Sequence, residues 1–191
     1  MKFPILFICV GALALSSCQT AKSLIGATPP AVNEGVCPQA LVLWDAARKV
    51  QIGEPQTYAN IGFTAEILSV RSLCTYVGTN PIDATLEIDF AFGRGPAAVG
   101  MEADFSYFVS VTRKNRAIIT KETYPLPIKF RQPDQIVRHT EKFASILIPR
   151  LQQNTSGNNF EIIVGFELNE NELEFARSGK RFRVNAGSNN R

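Results

Sequence analysis

The sequence predicts a mainly β protein, an antiparallel β-sandwich with one short helix near the C-terminus. Apolar residues alternate with polar ones in six segments, turn residues separate these segments, and only one segment carries clear helix signals. Alternation with a period of two indicates a strand with one buried face, and many short strands at regular spacing favour a sandwich. The six segments are residues 61–77, 82–90, 105–113, 117–130, 136–148 and 160–168.

Two local signals indicate how the strand segments are arranged. Lys114 and Asn115 lie between two segments and predict a tight hairpin, because asparagine tolerates a positive φ angle. Pro125 and Pro127 lie within one segment, and proline cannot donate a hydrogen bond to a neighbouring strand. That segment should therefore be an edge strand or break at the prolines.

One helix is well signalled, over residues 169–178. Asn169 is a suitable N-cap, Glu172 stands three residues later as in a capping box, and Gly179 can end the helix. Residues 38–50 remain open between a first strand and a helix, since periodicity does not decide so short a run. For this segment we favour a strand.

The N-terminus has the pattern of an export signal. Lys2 precedes an uncharged apolar run of 13 residues, 3–15, which is too short to span a bilayer of about 30 Å at about 1.5 Å per residue. The run ends in LSSC at residues 15–18, which resembles the lipobox of bacterial lipoprotein precursors. This resemblance implies that Cys18 carries a diacylglycerol group and acyl chains such as palmitate, and becomes the first residue of the mature protein.

These signals divide the chain into four parts. They are a lipoprotein signal peptide (1–17), the lipidated cysteine with a flexible tether (18–35), the β-sandwich domain (36–178) and a basic disordered tail (179–191). Several acyl chains would anchor the protein to a membrane permanently. By the sorting rule of enterobacterial lipoproteins, Gln19 after the cysteine favours the periplasmic face of the outer membrane; the inner membrane stays open as an alternative.

The remaining cysteines predict a disulfide. Cys9 is discarded with the signal peptide, and export delivers Cys37 and Cys74 to an oxidising compartment. A redox-active pair is disfavoured because the two lack the Cys-x-x-Cys spacing. Trp44 lies between the two cysteines, which gives the Cys-Trp-Cys order of an immunoglobulin domain, but the spacings between these three residues are shorter than in that family. We therefore expect an immunoglobulin-like architecture without immunoglobulin ancestry.

Several short stretches of the domain are similar to a family of small bacterial envelope lipoproteins of unknown function, mostly alphaproteobacterial. The matching residues are Cys37-Pro38 with Cys74, Arg94-Gly95-Pro96, Tyr107-Phe108-Val109, Lys121-Glu122, and Ile163-Val164-Gly165-Phe166 leading to Leu168, Leu173 and Arg177. The resemblance covers nearly the whole mature domain. It implies the fold and an envelope location, and it brings no assigned activity.

Composition makes several function classes improbable. The chain has 20 Lys and Arg against 17 Asp and Glu, too balanced for a protein that binds nucleic acid through a basic surface. One His and four Cys offer little from which to build a zinc, haem or iron–sulfur site, so we expect no metal and no cofactor. The single histidine, His139, lies in a polar alternating strand, and the chain has no Gly-x-Ser-x-Gly motif of a nucleophilic serine.

Pairs of carboxylates offer the remaining route to catalysis. Glu87 with Asp89, and Glu102 with Asp104, lie two residues apart on one strand face, a spacing compatible with glycoside hydrolysis. An acidic strand face is ordinarily a solvated surface that pairs with Lys or Arg across the sheet. We therefore expect a protein that is not an enzyme.

The expected function is that of a lipid-anchored interaction module facing the periplasm, which contacts an envelope protein through sheet edges or loops. The alternative is a binding protein for a glycan or an apolar ligand. Its contact residues would be Tyr107, Phe108 and Tyr124, provided that they are exposed in a groove. Arg94, in a predicted strand-end turn, is a candidate to hold a carboxylate. The identity of the partner and the oligomeric state stay open.

Overall fold

The computed structural model describes residues 35–114, 117–133 and 135–180. The predicted signal peptide, Cys18 and all of the tether before Gly35 lie outside these ranges. So do Asn115 of the predicted hairpin and residues 181–191 of the predicted tail.

The described chain forms two four-stranded sheets packed as a sandwich, with one helix at the C-terminal end, so the predicted fold class is confirmed. The elements are β1 (Gln39–Val42), β2 (Arg48–Ile52), β3 (Ile61–Thr75), β4 (Ile82–Arg94), β5 (Glu102–Arg113), β6 (Ile118–Lys129), β7 (Val137–Ile148), β8 (Phe160–Phe166) and α1 (Glu170–Arg177). Sheet A has the order β1-β8-β5-β6 and sheet B the order β2-β3-β4-β7. All six predicted strands are present as β3 to β8.

The strand order is that of an immunoglobulin-type sandwich over β3 to β8. In sheet B, β3, β4 and β7 take the places of strands A, B and E, and in sheet A, β5, β6 and β8 take those of C, C′ and F. Strand β1 lies beside β8, where strand G would lie, but the two run parallel. The sandwich is therefore antiparallel except for this pair.

Residues 38–50 contain two strands instead of one. Strand β1 belongs to sheet A and β2 to sheet B, and a 3-10 turn, Trp44–Ala46, lies between them. The preference for strand over helix is confirmed, but the segment crosses from one sheet to the other. Four-residue and five-residue strands are too short for periodicity to show the crossing.

The core lies between the sheets and is rich in aromatic rings. The ring of Phe90 lies 5.1 Å from that of Tyr107, and the ring of Phe92 lies 4.9 Å from that of Phe105, as measured between centroids. Phe166 of β8 packs against Phe90, Phe92 and Phe105. Aromatic rings at such distances add to the burial of apolar area that stabilises the fold.

The predicted disulfide is present and joins the two sheets. Cys37 lies just before β1 of sheet A, and Cys74 lies in β3 of sheet B. Their Cα atoms are 5.6 Å apart, within the usual range for a disulfide.

Helix α1 begins with the predicted capping box. Asn169 Oδ1 accepts from the N–H of Glu172, and Glu172 Oε2 accepts from the N–H of Asn169, both at 2.9 Å. Phe175 is buried against Val50, and Lys49 of β2 pairs with Glu172 at 2.9 Å. The helix is thus fixed to the outer strand of sheet B.

Candidate functional site

The structure brings three of the four predicted contact residues together on neighbouring strands. Tyr107 and Phe108 follow each other on β5, and Tyr124 is opposite Tyr107 on β6. Arg94 lies at the end of β4 in the other sheet. The candidate site is therefore built around β5 and β6.

The two tyrosines lie on the inner face of sheet A. Tyr107 is buried, its ring stacks on that of Tyr124 at 5.4 Å, and Tyr124 meets Phe143 of β7 edge-on at 5.0 Å. The Tyr124 hydroxyl donates to Glu122 at 2.6 Å. Burial and this carboxylate raise the pKa of Tyr124 to about 12, so the phenol stays neutral and holds β6 against β7.

Phe108 lies on the outer face of sheet A and is also buried. Its ring covers Gly165, where a Cβ atom would come within 2.8 Å of two ring carbons. The Lys121 ammonium lies 4.4 Å from the ring centroid and pairs with Glu167 at 2.8 Å. Tyr107 and Phe108 therefore pack inside the protein. Ligand binding by these rings would need them exposed in an open groove, and they are not.

Strand β6 is an edge strand, as its prolines predict. It is the last strand of sheet A, and Pro125 and Pro127 lie opposite Ser106 and Asp104 of β5. Phe130, just after β6, donates its N–H towards the β5 side of the sheet, to a carbonyl at 2.8 Å.

In an antiparallel pair, successive residues point their main-chain groups alternately to one side of the strand and the other. The even-numbered residues of β6, like Phe130, therefore face β5, and the odd-numbered ones face the free edge. Pro125 and Pro127 are odd-numbered, so the N–H that proline lacks would point to the free edge, and no hydrogen bond to β5 is lost. The N–H and C=O groups of Lys121 and Thr123 then point away from the sheet.

The part of this edge that is open to pairing is short and rigid. A register shift opposite Val111 and Thr112 marks a bulge near Ile119, and the prolines begin at residue 125, which leaves residues 120–124. Side chains hold this stretch on both faces. Tyr124 is fixed on the inner face, and Lys121 and Thr123 both bind Glu167 on the outer face.

Strand β7 is the edge of sheet B on the same side of the sandwich, and it is better protected. Its pairing with β4 shifts between Phe143 and Ile146, which marks a bulge. Four of its five residues 138–142 are charged or titratable. Bulges and charges both discourage the addition of a further strand, so on this side of the sandwich the more open edge is that of β6.

Among the described residues, Arg94 binds backbone carbonyls and pairs with no carboxylate, in contrast to the role predicted for it. Its guanidinium donates to the carbonyl oxygens of Ala98, Gly100 and Pro133 at 3.2, 2.7 and 3.3 Å. These bonds fix the turn after β4, so the turn predicted for this segment is confirmed. These three bonds engage both terminal nitrogens of the guanidinium, which gives Arg94 a structural role; its Nε is buried and has no hydrogen-bond partner among the described residues.

The acidic pair Glu87 and Asp89 lies on the outer face of sheet B and is paired across the sheet, as expected for a surface. Arg71 binds both carboxylates, and a lysine of β7 also binds Glu87 at 2.9 Å. Hydroxyls of Thr140 and a serine of β3, with Arg71, lower the pKa of Asp89 to about 2. The cations also lower the pKa of Glu87. Both groups stay ionised, and neither is suited to act as the general acid of a glycosidase.

Two of the other candidates for chemistry, His139 and Glu102, are paired with their neighbours. His139 Nε2 lies 2.5 Å from Glu141 Oε1, and Glu102 pairs with Lys129 at 2.9 Å. Among the residues that the structure describes, no group of three His, Cys, Asp or Glu side chains is placed to hold a metal ion. One pocket between α1 and β2, next to Trp44, has a volume of about 30 Å³, room for one or two waters. A second, along β2 and the start of α1, has a volume of about 560 Å³ and a polar lining that includes Lys49, Glu54 and Asn169.

Comparison with known protein families, with characterised proteins and with solved structures gives no match for this chain. No helix within the described ranges is long and apolar enough to cross a membrane. The fold and the site together define a class of protein: a disulfide-linked β-sandwich domain in which no described strand pairs with the outer side of edge strand β6.

Proposed function

We propose that this protein is a lipid-anchored lipoprotein on the periplasmic face of the outer membrane. It acts without catalysis, as an interaction module for an envelope protein. The partner contributes an extended segment that adds as a further strand to the edge of β6. The observation that carries the proposal is the free edge at residues 120–124, held rigid by contacts on both faces.

The geometry of this edge suits strand addition. The main-chain groups of Lys121 and Thr123 supply hydrogen bonds, and hydrogen bonds of this kind provide the affinity when a peptide joins a sheet edge. Binding to a rigid edge costs less conformational entropy than binding to a mobile one. The two charged residues of the stretch are already engaged, Lys121 with Glu167 and Glu122 with Tyr124, so an incoming strand meets no free charge on this stretch.

The anchor supports the same function. Lipidation at Cys18 would confine the domain to the membrane surface, which raises its effective concentration towards other envelope proteins. The Cys37–Cys74 disulfide is consistent with an exported protein, because such bonds persist in oxidising compartments. Replacement Cys18→Ala should abolish incorporation of labelled fatty acid and leave the precursor unprocessed; full labelling of this variant would refute the anchor.

The edge is tested by photo-crosslinking in cells that make the full chain. A photoreactive residue at Thr120, exposed on β6, should give a discrete adduct with an envelope protein. The same probe at Thr85, exposed on the outer face of sheet B, should not. A second replacement then tests the mode of binding. Thr123→Pro removes the outward N–H, and Thr123→Val keeps it; both lose the hydroxyl bond to Glu167.

We expect the adduct at position 120 to disappear with Thr123→Pro and to persist with Thr123→Val. Equal adducts from the two variants, or none from position 120 in the parent protein, would contradict strand addition. An adduct with the mass of two copies of this chain would show that the edge binds a second copy of the protein and not an envelope partner. Circular dichroism of both variants checks that the fold is unchanged, as the neighbouring prolines lead us to expect.

A further inference from the structure

We propose that one end of the sandwich is a membrane-contact surface, which places apolar side chains among the lipid headgroups. This proposal rests on the proposed lipid anchor and goes beyond it, because an anchor alone does not require the folded domain to touch the bilayer. The surface lies at the end where the described chain begins, at Gly35. We call it the tether end.

The strand registers define the tether end. Thr75 at the end of β3 pairs with Asp83 at the start of β4, and Asp83 pairs with Leu147 at the end of β7. In the other sheet, Arg113 at the end of β5 pairs with Phe160 at the start of β8. The disulfide fixes the incoming chain to this same end. The described residues of the tether end are thus 35–38, 73–83, 113–114, 117–119 and 147–160.

Large apolar side chains project from this end. Leu73 is 75% exposed, Leu147 is 66% exposed and Leu151 is 82% exposed. Val36 and Ile118, from the incoming chain and the start of β6, are also exposed. Soluble proteins rarely gather exposed aliphatic residues without an interaction that covers them.

The surroundings of these residues suit the interface of a bilayer. Residues 73–82 and 151–160 contain no charged side chain; between the apolar residues they carry mainly Gln, Asn, Thr and Ser. Arg150, the cation nearest to them, donates to carbonyl oxygens of the loop before β4 and lies over the Tyr76 ring at 4.5 Å. Its charge is therefore directed into the protein.

The described cations at the tip of the β5–β6 hairpin are placed to meet headgroups. Arg113 and Lys114 lie beside exposed Ile118; Lys114 is itself exposed and donates to Asn158 Oδ1 at 2.7 Å, and half-buried Arg113 lies 5.8 Å from the centroid of the Phe160 ring. Apolar side chains flanked by Lys and Arg are the usual composition of a surface that lies on an anionic membrane.

The length of the predicted tether indicates which end of the sandwich lies nearer to the membrane. Sixteen residues, 19–34, separate Cys18 from Gly35, where the described chain starts, and a chain with the predicted tether properties spans about 20–25 Å at that length. Strand β3 has 15 residues, which at about 3.3 Å per residue make a strand about 50 Å long. An anchor at Cys18 therefore holds the tether end closer to the bilayer than the opposite end.

The opposite end provides a matched control. Val99, in the turn after β4, is 88% exposed and lies in an uncharged loop, but it is remote from the tether. The test uses the full lipidated chain in vesicles of phosphatidylethanolamine and phosphatidylglycerol that contain a lipid with a nitroxide near its headgroup. An environment-sensitive fluorophore is attached to a single introduced cysteine, at Gln152→Cys or at Val99→Cys.

We expect the label at position 152 to shift to the blue and to be quenched by the nitroxide several-fold more than the label at position 99. In the Gln152→Cys protein, Leu147→Asp with Leu151→Asp should remove most of this quenching. Val99→Asp in the same background should leave it unchanged. Equal quenching at positions 152 and 99, or quenching that survives the two aspartates, would overturn the inference.

Flotation of the vesicles separates the two ways in which this can fail. If the protein floats with the vesicles and position 152 is not quenched, the anchor stands and the contact surface is wrong. If the parent protein does not float, the proposed anchor is wrong and the inference falls with it. The aspartate variants should float like the parent, because their acyl chains are unchanged.

Discussion

The ring of Phe108 lies directly over Gly165 on the neighbouring strand, and a Cβ atom at Gly165 would come within 2.8 Å of the ring and 2.9 Å of the Ala46 Cβ. The glycine therefore makes room for the aromatic ring. This contact joins β5, β8 and the turn between β1 and β2. It supports the face of sheet A on which Lys121 holds the proposed binding edge.

Replacing Gly165 by alanine should lower the free energy of unfolding by about 1–3 kcal/mol, the usual cost of overpacking. Denaturant unfolding measures the change. Gly53→Ala is the control, because a Cβ there would have its nearest neighbour at 3.9 Å. Adding Phe108→Leu to Gly165→Ala should recover part of the loss in a double-mutant cycle. An unfolding midpoint that does not move with Gly165→Ala would contradict the close contact.

Removal of the disulfide should destabilise the domain substantially. Cys37 and Cys74 are 37 residues apart, and closing a loop of that size contributes about 4 kcal/mol on the chain-entropy model. The double variant Cys37→Ala, Cys74→Ala should unfold at a much lower denaturant concentration than the parent. Reductant should lower the denaturant midpoint of the parent protein and leave that of the variant unchanged. If the disulfide of the parent is fully reduced and its midpoint does not fall, the prediction is wrong.

Acid should destabilise the protein through Asp89. Its pKa is lowered from the ordinary 3.8 to about 2, so the ionised group favours the folded state at every pH above the ordinary value. That stability is lost as the pH falls from about 4 towards 2, because the unfolded chain takes up the proton first. Asp89→Asn should be less stable than the parent at pH 7 and lose less stability over this interval.

Thr140→Val tests the cause of the Asp89 shift, because the Thr140 hydroxyl is the largest contribution to it. The Asp89 carboxyl, followed by NMR titration, should then titrate at a higher pH than in the parent. The acid-induced loss of stability should begin at a correspondingly higher pH. An unchanged titration would show that the hydroxyl at 2.7 Å does not stabilise the carboxylate.

The capping box of α1 predicts a smaller effect. Asn169→Ala removes the acceptor for the N–H of Glu172 and should cost about 1 kcal/mol. Asn171→Ala is the control, because it makes the same substitution at an exposed position within the first turn. Alanine favours helix at such a position. The control should leave the thermal midpoint unchanged or raise it slightly. Equal losses from the two variants would argue against the cap.

Much of the fold could be predicted because its signals are local. The alternation in residues 82–90, the cap formed by Asn169 and Glu172 and the two prolines of β6 each act within a few residues of chain. The prolines indicate more than the edge position of β6. Since both are odd-numbered, they indicate which residues of β6 face outwards, and so identify Lys121 and Thr123.

The sequence by itself determined strands β3 to β8, the helix, the disulfide pair and the edge character of β6, because periodicity, capping and the chemistry of proline and cysteine depend on near neighbours. Only the tertiary structure decided that β1 joins sheet A in parallel with β8 while β2 joins sheet B. It also decided that Tyr107 and Phe108 are buried and that Arg94 binds loop carbonyls. These outcomes depend on contacts between segments far apart in the chain, which no local pattern specifies.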